Sequence, residues 1–278
     1  MTLRRVVVVL GWLAFFLAAL GLARWGLRQV AGVDGLYAGR ALQTGMLQGA
    51  DALSLTKSFA DVLVKTSGNT KLAGDPRLAS FAANLEKFVT GIDYRDRMEG
   101  IPIGDEQGTR ERPFELTVHF DPAKMDAALA TLGEKPWTGV RPKIVVFLGV
   151  KNSARSYVLA TDGEFGFDQR DALSAAAWQA GLPLLLPDNK ALAVLDFEKI
   201  TAAVPADLLA AAKTLGGDTA LIGTLFWNDG ARGWAAEWRL AKDGQLNSWS
   251  LKDVNFDTAF QSGMLGTLSI LSGHGAPP

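Results

Sequence analysis

No cysteine occurs among the 278 residues. That absence excludes thiol nucleophiles, thiolate metal sites, disulfides and a lipid-modified cysteine anchor. Histidine is nearly as scarce, with only His119 and His274, so a His-rich metal centre or a Ser-His-Asp arrangement has almost no material. Charge of one sign is also missing: 28 Lys and Arg against 29 Asp and Glu leave a formal charge of -1. A chain with no basic field has no long-range attraction to nucleic acid, and no nucleic-acid partner is expected. Catalysis would have to run on carboxylates, Lys, Tyr or Ser alone.

What is present begins with an address. Arg4 and Arg5 precede an uncharged apolar run over residues 6–23, VVVVLGWLAFFLAALGLA, at the short end of what a bilayer core requires. Residues 1–32 read as a signal or membrane anchor. Gly21 and Ala23 offer a small-x-small cleavage site, whereas the length of the run and the flank of Arg24, Trp25 and Arg28 favour an uncleaved span. The expected partner of residues 6–23 is therefore the membrane. The expected location is the bacterial inner membrane with the bulk facing the periplasm, or the periplasm itself after cleavage.

Beyond a Gly-rich loop, residues 33–135 predict a small α+β domain. Leu55, Phe59, Val62 and Leu63 stripe one helix, which Gly68 stops. Asp75-Pro76 opens a second helix carrying Leu78, Phe81, Ala82, Leu85 and Phe88, and Asp121-Pro122 opens a third with Met125, Leu129 and Leu132 inward. Alternation over Ile92 to Met98 and over Phe114, Leu116, Val118 and Phe120 predicts two half-buried strands, joined by the polar loop GIPIGDEQGTRERP.

Residues 136–142 form a Pro- and Gly-stiffened joint holding Trp137, and residues 143–273 predict an α/β domain, with 274–278 as a tail. Ile144 to Leu148 is apolar on both faces, as in a central strand covered on each side. A short strand near Tyr157 to Ala160 is expected next, and then a helix capped by Asp168 that runs to about Ala180. The stretch GLPLLLP adds a short strand, and two helical pieces divide at Pro205. Three strands linked by Asp-Gly turns form an antiparallel meander, and a helix from about Asp257 to Ser272 closes the domain. The fold class is thus α+β / α/β: a membrane helix, a small α+β domain, and an α/β sandwich with a meander.

Several stretches invite chemistry. GVKNSARS follows the apolar strand where a phosphate loop would sit, but it lacks G-x-G-x-x-G and the Gly-Lys-Ser/Thr ending. TDGEFGFDQRD gathers Asp162, Glu164, Asp168 and Asp171, yet a calcium loop counted from Asp162 would find Phe167 and Leu173 where it needs Gly and Glu. His119 shares a strand face with Glu115 and Thr117 and reads as a solvated residue; the mixed charges of DYRDRMEG and RER read as solvated strand and loop. Trp227, Trp234, Trp238 and Trp249 lie in or beside the meander, where they form either a core under helices or a groove for a peptide or glycan. No catalytic, cofactor-binding or metal residue is assigned, and no cofactor is expected.

The motifs FADVLVKTSGN, LTVHFDPAKMDAALATLG, KPWTGVRPKIVVFLGV and AGLPLLLPD, in that order, resemble the bacterial envelope family filed as domain of unknown function "twenty sixty-six". The resemblance runs from about Val33 to Pro187, and more loosely to about Trp249. It implies an exported or tethered protein with no assigned activity. In plan it is similar to non-enzymatic envelope domains such as the amino-terminal domain of the Tol translocation protein and the flagellar-collar proteins. The resulting expectation is a non-enzymatic envelope scaffold or binding module, with another envelope protein or a glycan as partner. The alternative is a carboxylate-dependent hydrolase of cell-wall material, which needs two acids facing one cleft.

Overall fold

The computed structural model describes residues 33–45, 49–101, 104–105, 108–109, 112–242 and 244–275. The anchor expected over 6–23 lies outside them. Among the described residues no helix is long and apolar enough to cross a membrane.

A short helix α1 (Val33–Leu36) leads into β1 (Ala38–Thr44), and α2 (Ala52–Ser67) follows. Asp51 caps α2 by accepting from Ser54 N, and Gly68 in the left-handed region ends it. The next expected α-helix is instead a pair of 3₁₀ segments, Thr70–Gly74 and Pro76–Phe88. Asp75 accepts from Arg77 N as its cap, so the Asp-Pro start signal holds while the winding is tighter. Leu72 and Leu85 are the buried residues of the two segments; Phe81 and Phe88 lean on Phe59 at ring-centroid distances of 5.5 and 5.2 Å.

Strand β2 (Val89–Asp96) begins before the expected Ile92, and β5 (Pro113–Phe120) buries Leu116, Val118 and Phe120 on one face as the alternation predicts. Within the polar loop a two-residue hairpin forms, β3 (Gly104–Asp105) against β4 (Gly108–Thr109). The first sheet has order β1-β5-β2 and is antiparallel throughout. Helix α3 (Pro122–Thr131) starts at the Asp121 cap.

The second sheet is built on β6 (Ile144–Lys151), which carries β7 (Ser156–Val158) and β8 (Leu184–Leu185) on one side and β9 (Thr219–Asn228) on the other. Strands β10 (Gly233–Lys242) and β11 (Gln245–Val254) complete the order β11-β10-β9-β6-β7, the expected meander. Between these strands run α4 (Phe167–Ala180), α5 (Phe197–Ala202) and α6 (Pro205–Thr214); α7 (Phe256–Ser272) closes the chain. The described residues therefore form a mixed α and β protein, with a three-stranded antiparallel sheet, the small β3-β4 hairpin and one mixed sheet.

Asp168 does not cap α4. Gly166, at φ 83°, precedes the helix with no side-chain cap, and its carbonyl accepts from Arg170 N at 2.9 Å. A Cβ at Gly166 would stand 2.4 Å from Leu159 Cδ1, so the backbone turns where only glycine fits and the helix begins earlier than an Asp cap would set.

Burial explains the layering. Ile144, Val146, Leu148 and Val150 of β6 join Leu173 of α4, Phe260 of α7 and Phe59 of α2 in one continuous cluster, which also takes in Val118 and Met125. The other face of β6, Val145 and Phe147, packs with Ile200 and Leu208 beneath α5 and α6. That is the two-faced burial expected from the unbroken apolar run. The joint segment is stitched to both helices beside it. Trp137 N donates to Thr66 O at 2.8 Å, Arg141 lies over the Trp137 ring at 4.6 Å, and Arg141 Nη2 donates to Lys65 O at 2.6 Å. Arg141 Nη1 also reaches Ala180 O at 3.1 Å.

Candidate functional site

Topology locates the site. From β6 the chain turns back through β7 and then passes through α4, on the face shared with α7, to β8, which lies parallel to β6. It then returns through α5 and α6, on the opposite face, to β9, which lies parallel to β6 on the other side. Successive crossovers thus set β8 and β9 on opposite sides of β6 and run over opposite faces of the sheet. In open α/β sheets such a reversal leaves a crevice outside the carboxyl ends of the two strands flanking it, and ligands bind there.

A cleft of about 420 Å³ occupies that place, within the roughly 300–1,000 Å³ range of small-molecule sites. Lys151, Asn152 and Ser153 at the end of β6 line it with Phe226, Trp227 and Asp229 at the end of β9, together with Phe197, Thr201, Thr224 and Glu237. Its origin is the shortness of α5, which covers Phe147 and Ile222 but leaves the sheet face open past Thr224 and Phe226.

Both rims are fixed by local turn chemistry. Asn152 Oδ1 accepts from Ala154 N and Arg155 N at 2.9 Å each, and Asn228 Oδ1 accepts from Gly230 N at 3.0 Å. Trp227 is half-buried, donates from Nε1 to Asp229 Oδ1 at 2.9 Å, and packs edge-on against Trp234 at 5.4 Å. Its ring is therefore held in one orientation beside Trp234, on the α7 face of the sheet, and the aromatic wall of the cleft comes from Phe226 and Phe197. The ammonium of Lys151 is engaged by Glu198 at 3.3 Å. Asp229 and Glu237 are exposed, so the acceptors facing the opening are carboxylates and the wall is aromatic.

Arg239 holds α5 in place by donating to Ala203 O and Ile200 O, each at 2.6 Å. Burial holds its guanidinium below the ordinary range, with Glu237 acting in the opposite direction. Gly149 admits the same helix: a Cβ there would stand 3.0 Å from Phe197 Cδ2 and 3.4 Å from Ile200 Cγ2. The glycine closing the apolar strand thus serves close helix approach. Arg239→Met is expected to release the end of α5, and hydrogen exchange of the α5 amides should rise at least tenfold while the amides of α7 keep their protection.

A second constellation sits at the carboxyl end of α2. Lys65 is 0 % exposed, donates to Ala38 O at 2.7 Å and Gly35 O at 3.2 Å, and lies 3.6 Å from the centre of the Trp178 ring. The Arg40 guanidinium lies over the same ring at 3.9 Å. Burial pushes the Lys65 ammonium down to about 7, and Arg40 adds to the fall. Nearby, Tyr37 donates to Asp126 at 2.8 Å and its phenol is pushed up to about 12, by burial and then by that carboxylate. Because the Lys65 amine is sealed from solvent and satisfied by backbone carbonyls, it acts as a structural tie.

The residues singled out in the sequence separate accordingly. His119 stands partly exposed on β5 and meets Asp93 at 2.8 Å, a partner supplied by the neighbouring strand. His274 bonds Ser272 Oγ at 2.9 Å and reaches Glu134 at 3.4 Å, tying the end of α7 to the segment after α3. Among the described residues no group of three or more His, Asp or Glu is placed to hold a metal; Asp162 instead accepts from Asn189 N at 2.7 Å. Arg95 pairs with Glu115 at 2.8 Å, in keeping with a solvated charged strand. Trp238 is core, Trp249 donates to Ser262 O at 3.3 Å, and Trp227 alone of the four lines the cleft. Sequence reading placed GVKNSARS beside the right strand end but gave no sign that Phe197 and Glu237 would meet it.

Comparison with known families yields one match: residues 31–138 fit a domain of unknown function, DUF8605. This corrects the resemblance drawn from the sequence motifs, because the matching family is not the "twenty sixty-six" one. The match ends beside Trp137 and does not reach the cleft residues from Lys151 onward. No curated protein and no solved structure matches the chain.

Proposed function

We propose that the protein is a non-enzymatic binding module of the bacterial envelope that takes a glycan in the cleft at the ends of β6 and β9. The observation carrying this reading is the position of an aromatic-walled cleft at the point where the crossovers reverse. Sugars present apolar ring faces bordered by hydroxyl donors. The rings of Phe226 and Phe197, with exposed carboxylates and an amide beside them, complement that pattern. An extended peptide is served less well, because the cleft lies at strand ends and offers no row of free backbone groups. Envelope placement draws on the basic and apolar amino terminus.

A binding role fits the carboxylates better than hydrolysis does. Asp229 is held by the Trp227 indole, and both acids stand in solvent, whereas a general acid is withdrawn from water into an apolar pocket. Phe226→Ala is expected to weaken retention of the full chain on purified bacterial cell wall at least tenfold, about 1.4 kcal/mol, with unchanged folding by circular dichroism. Equal retention of the variant and the parent would remove the cleft from the account.

A further inference from the structure

We infer that β11 pairs edge to edge with β11 of a second copy of this chain, making a two-fold dimer through one continuous sheet. Among the described residues, strand β11 borders only β10 in the six-stranded sheet. It is ten residues long, so alternate residues along its outer side present backbone N–H and C=O groups with no strand beside them. Long unguarded edges of this kind recruit another strand.

The other edges are guarded. On the far side of the same sheet, β7 has three residues and β8 two, too short to template a partner. In the first sheet, β2 carries Asp93, Arg95 and Asp96, and β1 carries Arg40. By contrast Gln245–Leu251 of β11 has neither charge nor proline; its Leu246 is 58 % exposed, as Leu42 of the shorter, Arg40-bearing β1 is at 59 %. The one irregularity sits beyond that run, where the register with β10 shifts between Trp234 and Ala236 and Asp253 adopts φ 60°. A bulge blunts one end only.

Charge selects the second copy and the direction. With a two-fold axis at Ser248, the midpoint of the uncharged run, Leu246 of each copy faces Ser250 of the other, and the two Lys252 side chains lie at opposite ends of the seam. Parallel pairing in register would set Lys252 beside Lys252 and is disfavoured. Trp249 and Leu251, half-buried under the helix layer, gain a continuation of their face. Since each copy has one such edge among the described residues, an isologous contact closes at two and does not propagate into fibres.

The absence of native cysteine makes a position-specific test available. Ser248→Cys in the full-length chain sets two thiols directly opposite across the axis, at about 4.5–5.5 Å between Cα atoms, a separation that a disulfide spans. The expected result is a disulfide-linked dimer forming at least tenfold faster than with Ser174→Cys, an exposed control on α4. Sedimentation of the parent should give twice the chain mass, and Ser248→Lys, which places like charges on the axis, should lower the dimer fraction at least tenfold. Because the apolar run at 6–23 can associate in detergent by itself, the cross-link decides. Equal cross-linking at residues 248 and 174 overturns the proposal, whatever the measured mass.

Discussion

Replacing Trp238 with alanine is expected to cost about 4 kcal/mol of folding stability. Trp238 is the largest fully buried side chain among the described residues and is 0 % exposed. Two glycines make its space: a Cβ at Gly223 on β9 would stand 2.4 Å from ring atom Cζ3, and one at Gly263 on α7 would stand 2.7 Å from Cε2. The indole is therefore clamped between sheet and helix, with Phe260 edge-on at 6.3 Å. Rigid walls on both faces limit collapse after truncation, which places the loss toward the high end of the aromatic-to-alanine range. Gly263→Ala should cost about 1–3 kcal/mol by overfilling the same space. The indole Nε1 has no acceptor, so Trp238→Phe discards an unmet donor and should cost less than about 1.5 kcal/mol. Urea denaturation of the three variants checks the order; an alanine variant as stable as the phenylalanine one would remove Trp238 from the centre of the core.

The second large effect is a pH dependence from Lys65. Its ordinary value of 10.5 falls to about 7 in the folded chain. Between those limits the unfolded chain binds a proton that the folded chain lacks, so stability rises with pH across this window. Below about 7 both states are protonated and the full cost of the buried charge remains. The two carbonyls and the Trp178 face hold the ammonium and oppose the fall, which sets the gain on the order of 2–4 kcal/mol. The phenol of Tyr37, pushed up to about 12, contributes the opposite slope above its ordinary value of 10.0, so the comparison belongs between pH 7 and 10. Lys65→Met should abolish the rise. Parallel pH profiles for the parent and this variant would show that Lys65 keeps its proton throughout.

Periodicity and punctuation carried much of the fold. Alternation found β5, the doubly apolar run found the centre of the mixed sheet, and Asp-Gly turns found the meander, because each is a local signal with one geometric meaning. Helix α2 shows where such signals stop. Its stripe of Leu55, Phe59, Val62 and Leu63 implies an outer polar face, yet every residue from Val62 to Ser67 is buried, since the joint and the neighbouring helix cover the end that periodicity leaves to solvent. Lys65 is hidden for that reason. The cleft was illegible for a different one: Lys151, Phe197, Trp227 and Glu237 come from separate elements, and their meeting depends on which faces the crossovers take. The question raised by the apolar strand and its glycine resolves in the same way, with Gly149 seating α5 and the strand end beyond it opening the cleft.

Fluorine NMR of the full chain labelled with 5-fluorotryptophan tests the central claim most directly. Each of the eight tryptophans reports its own surroundings, and substituting Trp227 with phenylalanine assigns its signal. On titration with soluble cell-wall oligosaccharides, the Trp227 resonance should shift saturably and that of its neighbour Trp234 to a smaller extent, while those of Trp137, Trp178 and Trp238 stay fixed. A Trp227 resonance that does not move, or a shift confined to the other tryptophans, would contradict glycan binding at the ends of β6 and β9.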